Sequence, residues 1–133
     1  MTFPTLTDDI IVQEGTFAYN FTASGTVYAG QLVDAVGTMQ VKAAVGISST
    51  AIVGVAAYYA TDGEKVAVYG PGNIVRCAAS GTSVAAGECV QAGAEGRVLD
   101  VGSIVAKASG AVVVGKALES QSTADAAVRV LLI

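Results

Sequence analysis

Between Gly15 and Ile133 the apolar residues come in short runs separated by Gly, Ser, Thr and Asp, a texture that predicts strands and turns. The clearest stretch is Ile52 to Arg76, IVGVAAYYATDGEKVAVYGPGNIVR, which reads as two Val-, Ala- and Tyr-rich arms over an Asp62-Gly63 turn, closed by a Gly-Pro-Gly corner. Asp-Gly supplies the positive φ angles that a tight hairpin needs. In the second arm Lys65, Ala67 and Tyr69 alternate with Val66 and Val68, so one face is expected to be buried and the other wet. Ser49 to Tyr59 also fits a helical stripe through its alanines, but the strand reading is preferred there.

Phe17 to Thr22 alternates aromatic with small or polar residues and turns at Ser24-Gly25-Thr26. Val27 to Ala35 and Met39 to Ala43 flank a reversal at Gly37, and Ile47 to Thr50 leads into the hairpin. The last run, Ala127 to Ile133, is the most hydrophobic and is expected to be a central strand.

The second half restates the first. Ala79-Ser80-Gly81-Thr82 repeats Ala23-Ser24-Gly25-Thr26, Gly87 and Val90 correspond to Gly30 and Val33, and Val114-Gly115 corresponds to Val53-Gly54. One unit of this length lacks the core to stand alone, so a pair that pools its apolar faces is the economical solution. The predicted fold is all-β: a small β-barrel or β-sandwich built from two similar strand-turn-hairpin units, about 15–70 and 71–133, in one domain covering 15–133.

Residues 1–14, MTFPTLTDDIIVQE, differ in character and are read as an extended N-terminal arm. Pro4 favours an extended backbone at Phe3, and Ile10 to Val12 suit a strand. A disordered terminus before an ordinary first strand fits the same residues equally well.

Composition narrows the function. The chain is 53% hydrophobic and only 14% charged, against about a quarter in typical domains, which implies that a second molecule covers part of its surface. Its net charge is −4 and the basic residues are scattered singly, so no nucleic acid partner is expected. There is no His, which excludes a His-bearing zinc site and any Ser-His or Cys-His pair. Cys77 and Cys89 are read as small buried hydrophobes, with a disulfide as the alternative. Asp8 with Asp9, Asp62 with Glu64, and Glu88 with Glu95 are the nearest carboxylate pairs, and nothing in the sequence shelters them for acid-base work. The glycine-rich stretches at Gly70 and Gly93 lack a P-loop ending, and no lysine sits in a lipoyl or biotinyl context. No enzyme, metal, cofactor or small-molecule substrate is therefore expected. The uncharged run Ala43 to Thr61 approaches the length of a membrane span, but Ser48, Ser49, Thr50 and two glycines interrupt it, and no membrane partner is expected. Asp8, Asp9 and Glu14 break up any secretory segment after Met1.

The hairpin IVGVAAYYA, polar turn and KVAVYG, ending in a glycine corner at Arg76, resembles that of the head-stabilising decoration proteins of lambda-like tailed phages. The unit SGT…AGxxV…VVGxA is similar to the wider group of small phage capsid cement proteins. The resemblance implies a structural protein, commonly a homotrimer, made in the host cytoplasm and carried on the capsid exterior of the virion, where it clamps neighbouring subunits of the major capsid (coat) protein. It implies a strand-adding, capsid-binding arm comprising Phe3, Pro4, Leu6, Ile10, Ile11 and Val12. Tyr58, Tyr59 and the corner Gly70, Pro71, Gly72 and Asn73 become candidate subunit contacts. The internal duplication departs from the simplest lambda-type pattern, which leaves a head-fibre base, or a fibre or adhesion module on a virion or cell surface, as the alternative.

Overall fold

The protein is represented by a computed structural model that describes residues 3–4, 12–14, 18–46, 49, 51–80, 84–102 and 113–133. Strands dominate these residues: β1 (Val12–Glu14), β2 (Ala18–Ala23), β3 (Leu32–Gly37), β4 (Gln40–Ala43), β5 (Ile52–Ala56), β6 (Lys65–Tyr69), β7 (Ile74–Ala78), β8 (Cys89–Ala92), β9 (Val98–Gly102), β10 (Val113–Ala117) and β11 (Ala127–Leu132). A 3-10 turn occupies Ala94–Gly96. The chain is all-β, as its apolar texture predicts. No helix among the described residues is long and apolar enough to cross a membrane.

Strands β2-β4-β3-β5-β6 close into a barrel, and β1-β7-β11-β10-β8-β9 form a six-stranded sheet. The two halves use the same antiparallel pairings: β2 with β6 and β7 with β11, β3 with β4 and β8 with β9, β3 with β5 and β8 with β10, β5 with β6 and β10 with β11. Their connections match as well. Val27 and Ala60 exchange backbone hydrogen bonds of 2.9 and 3.0 Å, as do Val84 and Gln121 at 2.7 and 2.8 Å. The Gly30 N–H donates to the Ala56 carbonyl at 2.9 Å, and the Gly87 N–H to that of Ala117 at 2.8 Å. The halves part company at closure. In the first, β2 pairs in parallel with β4 at Thr22 and Ala23; in the second, the corresponding contact among the described residues is the isolated parallel bridge of Ala79 with Val98.

Two expectations need refinement. The Ile52 to Tyr69 stretch does not form a tight two-residue hairpin: β5 and β6 are antiparallel neighbours, but residues 57–64 run between them, and Ala60 spends its hydrogen bonds on Val27. Asp62-Gly63 still makes the turn before β6, with Gly63 at φ 86°. The apolar faces also do not merge into one interior. Val27, Val33, Val41, Ala56, Val66 and Val68 fill the barrel, while a second cluster centred on Val75, Val90, Val114, Val128 and Val130 lines the inner face of the sheet.

The clusters meet through two strands that are buried on both faces. Val33 of β3 and Ala56 of β5 point into the barrel, while their neighbours Leu32 and Val55 belong to the sheet's core, with Ile52 and Tyr69 packed against it. This double burial explains why IVGVA reads as an unbroken apolar run whereas KVAVY alternates. As expected, β11 is an interior strand, flanked by β7 and β10.

Candidate interaction surfaces

The seam between barrel and sheet is fastened where the β8–β9 connection winds into its 3-10 turn. Gly96 sits there at φ 78°, and a Cβ on it would lie 2.7 Å from the Leu32 carbonyl oxygen, so only glycine admits this approach to β3. The Gln31 side-chain amide donates to the Glu95 carbonyl at 2.8 Å, and its Oε1 accepts the Tyr28 N–H at 3.0 Å. Next to them Arg97 is 1% exposed. Its Nε donates to Asp125 Oδ1 at 2.6 Å, one terminal nitrogen donates to the Ala94 carbonyl at 3.1 Å, and Glu95 lies 3.7 Å away. Burying a guanidinium is tolerable only with partners of this kind.

Phe3 lies on this seam. It is 4% exposed, stacked on Tyr28 at 5.7 Å between ring centroids, with the Arg97 guanidinium carbon 5.3 Å from its own ring centre. Tyr28 in turn contacts Tyr59 at 5.3 Å. Phe3, Tyr28, Gln31, Val45 and Glu95 are among the residues lining a groove of about 430 Å³.

The predicted contact residues are therefore dispersed. Phe3 is buried against its own chain, beside Tyr28 and Arg97. Pro4 is half-buried beside it. Leu6, Ile10 and Ile11 lie outside the described residues. Val12 begins β1, which adds to the sheet edge beside β7, Val12 facing Val75 and Glu14 facing Ile74. Tyr58 and Tyr59 are exposed, as a contact role requires. The corner divides: Pro71 and Gly72 are exposed, but Gly70 is covered and Asn73 is fully buried, its side-chain amide donating to the Gly70 carbonyl at 2.9 Å. That corner carries the chain from barrel to sheet, and Asn73 closes it from inside. Arg97 gave no signal in the sequence, since an isolated arginine ordinarily belongs to the surface.

Several of the described carboxylates serve turns and ion pairs, and the pair Asp8 and Asp9 lies outside the described residues. Asp62 accepts the Gly25 N–H at 2.8 Å, and Glu64 accepts both the N–H and the hydroxyl of Thr61 at 2.7 and 2.8 Å, bonds that hold its carboxyl below the usual value. Cys77 and Cys89 are free and buried, and burial pushes the Cys77 thiol up to about 12. Among the described residues no cluster of His, Cys, Asp and Glu is arranged to hold a metal. A partly open cleft of about 130 Å³ between barrel and sheet is lined by apolar residues such as Leu32, Ile52, Val53, Val114 and Leu132.

Comparison with known proteins adds the following. A family model described as phage cement protein matches residues 12–132. Among solved structures, the N base of the head fibre gp8.5 of bacteriophage phi29 superimposes with a TM-score of 0.62 at 16% identity, covering 88% of this chain and 93% of that one. At this identity the likeness is one of fold. A sequence search of curated proteins finds no match.

Proposed function

Because this chain belongs to the phage cement protein family, we propose that it binds the outside of an assembled phage capsid and stabilises it by clamping neighbouring coat subunits. The observation that carries this reading is the family match, which spans both halves of the chain from β1 to β11. The structure supplies compatible physics. A protein that binds only the assembled shell shifts the equilibrium toward it by mass action, and many copies each covering on the order of 1,000 Å² suffice. Tyr19, Tyr58 and Tyr59, together with Val45 and Met39, are exposed and would supply apolar area to such a contact. Three copies around a local threefold of the shell are part of the proposal.

The N-terminal tether takes a modified form. Among the described residues β1 pairs with β7 on one side only, and its other edge would receive a strand from the coat protein, extending the sheet through main-chain hydrogen bonds. The arm residues Phe3, Pro4, Leu6 and Ile10 to Val12 would set where that edge lies, with Phe3 as its anchor on the seam. Likeness to a head-fibre base favours one second reading, that the domain docks a fibre on the head; electron micrographs of labelled particles would show projecting fibres in that case and compact knobs in the first.

The direct experiment adds the purified chain to coat shells lacking it and follows shell breakdown on heating. Cement predicts saturable binding and a higher breakdown temperature; an unchanged breakdown temperature at saturation refutes it. Deleting residues 2–11, which leaves β1 intact, should lower the affinity if the arm contributes.

A further inference from the structure

The outer face of the six-stranded sheet carries a pattern that folding alone does not explain. On β7, Val75 and Cys77 enter the core, so Ile74 and Arg76 face the other way; on β11, Val128, Val130 and Leu132 are buried, which turns Arg129 and Leu131 outward. The register sets Leu131 between Ile74 and Lys116, and Arg76 directly beside Arg129. Leu118, 44% exposed, follows at the end of β10, its N–H donating to the Arg129 carbonyl. Aliphatic and cationic side chains are thus interleaved on one flat patch.

Two arginines directly opposite on neighbouring strands repel. Arg129 is answered by Glu119, whose carboxylate lies 2.8 Å from its guanidinium. Arg76 has no such counterpart among the described residues. It is half-buried, its Nε is sealed from water without an acceptor, and no carboxylate among the described residues pairs with it. Arg76, Lys116 and Arg129 are three of only seven basic residues in a chain of net charge −4, and with Glu119 offsetting one of them this face is more cationic than the acidic molecule as a whole. Arginine surrounded by aliphatic side chains is also the composition of energetic centres in protein interfaces.

We propose that this face docks on an acidic, aliphatic surface of the coat protein, with Arg76 receiving a coat carboxylate. The proposal rests on the cement reading and names the docking face and its partner chemistry. Charge complementarity selects the partner. A second copy meeting this face would bring the same three cations to it, whereas an acidic surface brings a carboxylate to the half-buried Arg76 guanidinium and relieves the repulsion from Arg129.

The test sediments the full chain with shells of its own coat protein assembled without it, at 50 and 300 mM salt, comparing the unaltered chain with Arg76→Gln and with Arg76→Gln combined with Lys116→Gln. The expected result is a loss of affinity on the order of tenfold or more in the double variant, with a flatter salt dependence. Melting temperatures should stay unchanged or rise, since the substitution removes an unanswered charge. Equal shell affinity in all three proteins overturns the proposal, as does a loss of binding confined to variants that melt early. Loss of self-association, measured by analytical ultracentrifugation, with shell binding intact would assign the face to a second copy and overturn it too. If the unaltered chain fails to sediment with shells, the cement reading falls and this inference with it.

Discussion

Asp125 stands where the first half has Gly63. Both close the turn before the last strand of their unit, and both donate their N–H to a carbonyl at the end of the first strand, Ala23 or Ala79, at 2.8 Å. Gly63 adopts φ 86° without cost, whereas Asp125 holds φ 66°, a conformation that disfavours residues with a Cβ. The difference is offset by its carboxylate, which neutralises buried Arg97 at the seam. Asp125→Gly relaxes the backbone and abandons the arginine. It should therefore destabilise the chain by about 1–3 kcal/mol in urea denaturation, because leaving a buried charge short of its partner outweighs the backbone gain. Asp125→Asn, which tolerates the same φ, should lose somewhat less. Cys77 gives a pH prediction of definite sign. Its folded thiol titrates near 12 against an ordinary 9.0, so its contribution is complete below pH 9 and is lost as pH rises toward 12, where only the unfolded chain gains from ionising. Stability should fall across that alkaline window in the parent and fall less in Cys77→Ala; iodoacetamide at pH 8 should label Cys77 only after denaturation.

At the scale of strands the duplication becomes a structural statement. A Cβ on Gly54 would overlap the Tyr69 carbonyl oxygen, and one on Gly115 the Leu131 carbonyl oxygen, so the two glycines permit the same close crossing of the next-to-last strand over the last in each half. Gly54→Ala and Gly115→Ala should each cost about 1–3 kcal/mol, similar to one another, while Gly72→Ala, with open space around its Cβ position, should suffer only from its positive φ. This layer was legible in the sequence. The Ala-Gly step and Val-Gly recur because backbone positions in matching turns and crossings admit few residues, and those landmarks fall at matching places in the two ladders, whereas Gly81 and Thr82 of the second Ser-Gly-Thr lie outside the described residues. What stayed illegible depends on long-range geometry. Local pattern does not distinguish a closed barrel from an open sheet when the difference is whether β2 reaches β4 by two residue pairs or Ala79 reaches Val98 by one bridge. The same holds for the site: Phe3 looks like a free apolar anchor until Tyr28 and Arg97, remote in sequence, are found around it, and Asn73 looks like a surface turn residue until the corner folds over it.

For the whole molecule, the barrel and the sheet are joined by Leu32 and Val55 in the sheet's core and by the Gln31, Gly96 and Arg97 fastening at the seam, so a load on one half is carried into the other. That property suits the proposed role of holding neighbouring coat subunits together, which needs no reactive centre. Membership of the phage cement family places the chain among virion-associated structural proteins. The most direct measurement is the amount of this chain in purified phage particles, relative to the coat protein, by quantitative mass spectrometry. The account predicts a fixed stoichiometric ratio to coat copies that survives repeated gradient purification. Absence of the chain from such particles, or trace amounts that vary between preparations, would contradict it.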